Sequence, residues 1–316
     1  MNQPYERPSP LRGILPVLAT PFKDDSGSEN NANQVAEDDI LHTVDFVIQA
    51  GAHGLVFPGV ASEFNYLTAD ERHRLAALVS ERVNGRVPIV VGASAETSAD
   101  AIALARAGLE VGACAAMIMA PAGLGSRPEP IINFFKTIGQ DIGIPIILQN
   151  APPPVGSGLS IETIADVVFA VPSIRYVKEE TLPSGQRITR LLDAAPNHLL
   201  GILGGGGARY VVDELNRGAC GAMPACELTD IHTALYQAHQ AGDLLRARHL
   251  YNRTLPLLLM QAVFRMRMTK EVLRLRGIIR HVGLRAPLPD WDDQDRRELR
   301  ILLTEVEDLF TVGSHE

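Results

Sequence analysis

Only four of the 29 basic side chains are lysines: Lys23, Lys136, Lys178 and Lys270. Lys23 follows an apolar run in a polar loop with two aspartates. Lys136 falls in an amphipathic helical pattern and Lys270 in a C-terminal helical region, so these three are expected to be solvated surface charges. Lys178 differs, because it ends the run Ile174-Arg175-Tyr176-Val177-Lys178. Alternation with period two puts Ile174, Tyr176 and Lys178 on one face of a strand. An amine among apolar neighbours is partly desolvated, which disfavours the ammonium form. The neutral amine can attack a ketone and form an iminium, an electron sink for loss of a proton or breakage of a bond at the adjacent carbon. Position alone does not separate this reading from a strand-end lysine paired with Glu179 or Glu180.

Three further stretches could serve such chemistry. In Gly59-Val60-Ala61-Ser62-Glu63-Phe64, a glycine permits close backbone approach, and the successive N–H groups of Val60 and Ala61 can hold a carboxylate without a cationic side chain. Glu63 could equally be a helix-start carboxylate. In Leu148-Gln149-Asn150-Ala151-Pro152-Pro153-Pro154, two amides end an apolar run. Alternation turns Gln149 inward with Ile147, where it could hydrogen-bond a substrate, while Asn150 could also tie down the following turn. The run Gly204-Gly205-Gly206-Gly207 looks like a phosphate cradle.

Short β-rich runs are expected at 13–20, 54–59, 88–94, 115–121, 145–150, 174–180, 200–204 and 221–224, most of them continuously apolar as in strands covered on both faces. Helical patterns alternate with them at 69–83, 98–111, 130–139, 160–171, 184–194 and 208–217. The second of these opens at Thr97 or Ser98, and the first carries the cap-like Thr68-Ala69-Asp70-Glu71. Eight strands without a Gly-rich first turn favour a (β/α)8 barrel over an open doubly wound sheet. In such a barrel Lys178 stands at the C-terminal end of a strand, the face on which active sites are built. After Pro224 the pattern becomes helical at 228–240, 243–268, 269–282 and 292–309, so a barrel core over 1–225 carries a C-terminal helical appendage over 226–316.

A net charge of -8 with no Lys/Arg-rich stripe argues against nucleic acid and anionic membrane surfaces as partners. Cys114, Cys220 and Cys226 have neither disulfide nor zinc spacing. His198, His232, His239, His249 and His281 are scattered without metal-ligand spacing, and His53 belongs in a turn at the bottom of the barrel; no metal or nucleotide cofactor is expected. The Met266-Arg267-Met268 stretch reads as helix packing or a subunit contact. The N-terminus is polar and Pro-rich, and no run reaches the roughly 18 apolar residues of a membrane span, so a cytoplasmic protein is expected.

Together these pieces resemble the dihydrodipicolinate synthase / N-acetylneuraminate lyase superfamily of Schiff-base barrels over nearly the whole chain. They comprise the opening Gly13-Ile14-Leu15-Pro16-Val17-Leu18-Ala19-Thr20-Pro21-Phe22 and the Gly51-Ala52-His53-Gly54-Leu55 turn. They continue with Gly59-x-x-x-Glu63, Leu67-Thr68-x-x-Glu71-Arg72, Pro88-Ile89-Val90-Val91-Gly92, Val177-Lys178-Glu179 and Gly218-x-x-Gly221. The resemblance implies Lys178 as the Schiff-base residue, a 2-oxo acid carboxylate at Val60 and Ala61, and a homo-oligomer, commonly a tetramer. The synthase and neuraminate lyase branches place Ser or Thr after the loop glycine and a proton-relaying Tyr at the end of the fifth strand; the synthase adds an Arg shortly after. Here those places hold Val60 and Ala61, then Gln149, then Pro154, and Pro121-Ala122-Gly123 lacks the synthase's further tyrosine. That disfavours dihydrodipicolinate synthesis.

Ala61-Ser62-Glu63-Phe64, Gln149-Asn150-Ala151-Pro152 and Lys178-Glu179-Glu180-Thr181 look closer to the branch of 2-keto-3-deoxy-sugar-acid dehydratases, such as that for L-arabonate. The expected catalytic residues are then Lys178, Gln149, Ser62 and Glu63. Gly59, Val60, Ala61, Asn150, Glu180, Gly204, Gly205 and Met223 are expected to bind substrate, and Ser62, Glu63 and Glu180 are the candidates for proton handling. A pyruvate-releasing aldolase and a non-catalytic 2-oxo acid binding barrel are the alternatives.

Overall fold

The computed structural model describes residues 11–23 and 33–313. Most of the polar N-terminus and the two aspartates after Lys23 lie outside the described residues. Eight parallel strands alternate with helices: β1 Gly13–Ile14, α1 Glu37–Gln49, β2 Leu55–Phe57, α2 Ala69–Val83, β3 Ile89–Gly92, α3 Ser98–Glu110, β4 Ala115–Met119 and α4 Pro128–Gly139. The second half continues with β5 Ile146–Asn150, α5 Ile161–Ala170, β6 Ile174–Glu179, α6 Ser184–Ala194, β7 Gly201–Gly204, α7 Val211–Asn216, β8 Gly221–Ala222 and α8 Thr229–Gln240. Neighbouring strands pair in the order β1-β8-β7-β6-β5-β4-β3-β2. Val17, just past β1, bridges both Val56 and Ala225 and so draws the two edges together. The expected barrel is therefore present.

Local chemistry explains the clearest helix starts. Thr68 Oγ1 accepts the Glu71 N–H at 3.1 Å while Glu71 Oε2 accepts the Thr68 N–H at 2.9 Å, a reciprocal cap that satisfies two otherwise orphaned donors. Thr97 and Ser160 cap α3 and α5 in the same manner with one bond each. No helix was expected at α1. It starts at Ala36 without a side-chain cap, so its N-terminus carries no such signature.

The strands separate two apolar layers. Leu15, Val17, Val56, Val90, Met117, Ile147, Tyr176, Leu203 and Met223 fill the barrel interior. Ile146, Leu148, Val177 and Ile202 face the helices. Ile174 belongs to this outer layer, which corrects the expectation that it shares a face with Tyr176 and Lys178. The β5–β6 register passes from Ile146↔Ile174 to Ile147↔Tyr176, so Arg175 is an extra residue in the ladder. Such a bulge inverts the alternation on one side of itself.

Past α8 come α9 Leu244–Phe264, α10 Met266–Leu275 and α11 Asp293–Thr304. The expected helix over 243–268 is broken at Arg265, whose φ of 48° turns the chain between α9 and α10. Arg276, at the end of α10, anchors the appendage through hydrogen bonds to Asp230 of α8 at 3.1 and 2.6 Å. Among the described residues no helix is long and apolar enough to cross a membrane.

Lys270 overturns its expectation as a surface charge. It is fully buried, 0% exposed. Its Nζ donates to Glu63 Oε1 at 2.5 Å and to Gly283 O at 2.6 Å, and lies 4.5 Å from the Phe22 ring centre. The amphipathic pattern of α10 could not show this, because the buried partner stands 207 positions earlier.

Candidate active site

Lys178 reaches the barrel mouth because strand alternation beyond the bulge turns it inward with Tyr176, and β5 brings Gln149 directly opposite it in register. The side chain is buried, 4% exposed. Its Nζ lies 3.3 Å from Glu180 Oε1, which also accepts the Gln149 amide at 2.6 Å. The second carboxylate oxygen accepts the Gly206 N–H at 3.1 Å. Burial drives the Glu180 carboxyl up, but the Lys178 charge and these two hydrogen bonds outweigh it and hold the group below the usual carboxylate range.

The turn opposite the lysine is built by Glu63. Gly59 N–H donates to Ser62 Oγ at 2.9 Å, and that hydroxyl donates to Leu18 O at 2.5 Å. Ser62 N–H and Glu63 N–H close a 3-10 turn over Val60–Ser62 onto Gly59 O and Val60 O. The Val60 and Ala61 N–H groups are left without a protein acceptor among the described residues. Two adjacent uncommitted donors form a nest for an anion. Glu63 holds a left-handed φ of 56°. Its carboxylate accepts from Lys270, from Arg285 N at 2.9 Å and from Ala286 N at 2.7 Å. The appendage therefore pins the turn from behind.

A cavity of about 210 Å3 separates turn and lysine, a size suited to a small metabolite and below the usual span of drug-sized pockets. Val60, Ala61, Lys178, Glu180 and Met223 line it, as do Pro152, Pro153, Pro154 and Val155 after β5. Ser62, Glu63, Gly59, Gln149, Asn150, Gly204 and Gly205 do not line it. Gln149 acts on the cavity through Glu180. Gly204 and Gly205 form the ground behind the site: a Cβ on Gly205 would stand 2.4 Å from Glu180 Cγ, and one on Gly204 2.0 Å from Glu214 Oε2. Asn150 faces outward, accepting Leu159 N–H at 2.8 Å and donating to both Glu179 oxygens at 3.0 Å. With Arg187 donating to Glu179 Oε2 at 3.2 Å, this is a buried polar tie beneath the loop after β5.

Among the lining residues, Arg209 after the glycine run and Gln261 and Arg265 at the α9–α10 junction had no signal in the sequence, and Met266, expected in helix packing or a subunit contact, lines the cavity beside them. Met266 faces the cavity, whereas Met268 is core. A helix break without Gly or Pro is invisible to local rules, and it is this break that aims the appendage at the barrel mouth. His53 stays at the barrel bottom, edge-on to Tyr236 with ring centres 5.1 Å apart.

Compared with known proteins, residues 10–306 match the Dihydrodipicolinate synthetase family. The L-2-keto-3-deoxyarabonate dehydratase of Azospirillum brasilense is 30% identical over 308 residues, covering 96% of this chain and 97% of that protein. The 4-hydroxy-tetrahydrodipicolinate synthase of Methanopyrus kandleri is 30% identical over 256 residues, 78% of this chain and 80% of that protein. A crystal structure of dihydrodipicolinate synthase from Rhodopseudomonas palustris aligns with a TM-score of 0.84 at 27% identity, covering 93% of this chain and 97% of that one.

Proposed function

The chain belongs to the dihydrodipicolinate synthetase family, whose compared members are lyases, and from that premise we propose that it dehydrates a 2-keto-3-deoxy sugar acid through an imine on Lys178. The observation that carries this reading is the Lys178–Glu180 contact across a small cavity from two uncommitted backbone donors. The substrate carboxylate docks on the Val60 and Ala61 N–H groups. Glu180 takes a proton from Lys178, and the amine adds to the keto carbon. As the amine loses its charge, the attraction that held the Glu180 carboxyl down is lost and burial raises it. Glu180 then returns the proton to the departing hydroxyl, which leaves as water and forms the iminium.

The iminium acidifies the C3 proton, which Glu180 removes. The resulting enamine expels the C4 hydroxyl, which takes that same proton and leaves as a second water. Hydrolysis of the imine frees the 2-oxo product and restores the lysine. No metal or nucleotide enters this sequence. Gln149 and Gly206 orient Glu180 toward the lysine. The glutamate thus does the work that other branches assign to hydroxyl relays. The exposed apolar side chains Leu244, Leu245, Leu259 and Val263 of α9 support a homo-oligomer.

Borohydride reduction in the presence of pyruvate should place a stable adduct on Lys178 and none in K178A. Incubation with 2-keto-3-deoxy acids should yield the dehydrated 2-oxo acid, lighter by one water, without free pyruvate. Absence of the adduct overturns the Schiff-base reading, whereas release of pyruvate assigns an aldolase instead.

A further inference from the structure

The cavity carries more positive charge than a single carboxylate can neutralise. Lys178, Arg209 and Arg265 line it against one acidic residue, Glu180, so three cations and one anion leave a local charge of +2 in a chain whose net charge is -8. Glu180 is already engaged by Lys178, Gln149 and Gly206. Neither the Arg209 nor the Arg265 guanidinium has an ion-pair or hydrogen-bond partner among the described residues. Three other shielded arginines are paired, Arg187 with Glu179, Arg276 with Asp230 and Arg285 with Glu71, and Arg72 is held by Ser94 O. Two partly buried, like-charged groups facing one cavity repel each other unless an anion comes between them.

Backbone geometry indicates that this convergence is built. Arg265 holds a φ of 48°, a conformation that disfavours any side chain and persists where the surroundings enforce it. Gly207 clears space on the other side: a Cβ there would stand 3.2 Å from Arg209 Nη1 and 3.0 Å from Gln261 Oε1. The Tyr251 hydroxyl donates to Arg209 O at 2.5 Å and ties the loop after β7 to α9.

We propose that Arg209 and Arg265, assisted by Gln261, bind a second anionic group at the end of the substrate opposite its keto acid, so that the enzyme prefers a dianionic 2-oxo acid to one ending in a neutral hydroxymethyl group. The inference rests on the Schiff-base reading. The first carboxylate meets backbone donors beside Lys178, and the second meets the arginine pair beneath the appendage. A carboxylate and a phosphate satisfy the same recognition, because both accept paired guanidinium hydrogen bonds.

Borohydride trapping at limiting concentration separates the cases. 2-Oxopentanoate and 2-oxoglutarate share a five-carbon chain and differ in the distal carboxylate; 2-keto-3-deoxygluconate and its 6-phosphate test phosphate as the source. In the unaltered protein at least one distal anion should lower the half-trapping concentration by roughly tenfold or more, the size of a charged hydrogen bond, and the pair that responds names the group. The advantage should shrink to about threefold or less in R209Q/R265Q, with each value normalised to pyruvate trapping by the same variant. R265G is the folding control, since glycine accepts the positive φ; it should melt no lower than the parent and still lose most of the advantage. No advantage in either pair, or an advantage that survives both variants, overturns the inference. Failure of pyruvate to form any adduct in the unaltered protein instead removes the reading on which it rests.

Discussion

Lys270 and Glu63 meet at 2.5 Å with both side chains fully shielded from water, joining α10 of the appendage to the turn that presents the Val60 and Ala61 N–H groups. A buried pair contributes little net stability relative to apolar replacements, yet loss of one partner strands the other charge. K270M should therefore lower unfolding stability by about 3–5 kcal/mol, and K270M/E63Q should recover part of that loss. Urea denaturation of the two variants tests this; equal stability of K270M and the parent would show that Glu63 does not depend on the lysine.

Glu180 is held below the ordinary carboxylate range by Lys178, Gln149 and Gly206 against its burial. Its folded-state value lies below the unfolded one. Its contribution to stability is thus present at neutral pH and is lost as pH falls through the depressed value. E180Q should reduce turnover by roughly 10²–10⁴-fold, as expected on removal of a proton-transfer group. It should also remove the corresponding acid-side step in a plot of melting temperature against pH. Turnover within threefold of the parent would take proton transfer away from this residue.

Gly205 backs directly onto Glu180. A Cβ there meets Glu180 Cγ at 2.4 Å, so G205A should push the carboxylate off its contact with Lys178. The expected outcome is a kcat lowered about tenfold or more with a smaller change in KM, because placement of a reacting group is disturbed and carboxylate docking is not. A change confined to KM would mean that the loop contacts substrate instead of positioning Glu180.

Burial pushes the Glu227 carboxyl up to about 7, opposed by its own backbone and by the charge of Arg276. The folded protein therefore keeps a proton that the unfolded chain releases near pH 4.5. Stability falls as pH rises through that window and levels above it, by about 3 kcal/mol for this one group. The loss of stability between pH 5 and pH 8, measured by urea midpoints, should be smaller by about 2–3 kcal/mol in E227Q. An unchanged difference would show that Glu227 is ionised in the folded state.

Much of this protein was open to local rules. The reciprocal cap at Thr68 and Glu71, the continuously apolar strands and the inward turn of Gln149 follow from periodicities that a few neighbouring residues enforce. Lys178 stood out because lysine is scarce here and this one ends a strand. The helix α1 was hidden for lack of a side-chain cap, and the bulge at Arg175 was hidden because a ladder shows an extra residue only against its partner strand. Ser62 and Glu63, grouped with the lysine by motif, turn instead to Leu18 O and to Lys270.

By itself, then, the sequence determined the alternation of strands and helices, the barrel that this alternation requires, and the strand end on which Lys178 stands. These are matters of spacing within ten or so residues. Tertiary structure alone decided which charge faces which: that Glu180 meets Lys178, that Lys270 is buried against Glu63, and that Arg209 and Arg265 enter one cavity from elements far apart in the chain. Electrostatic pairing depends on distance through space and on exclusion of water, and neither quantity is written in the order of residues along the backbone.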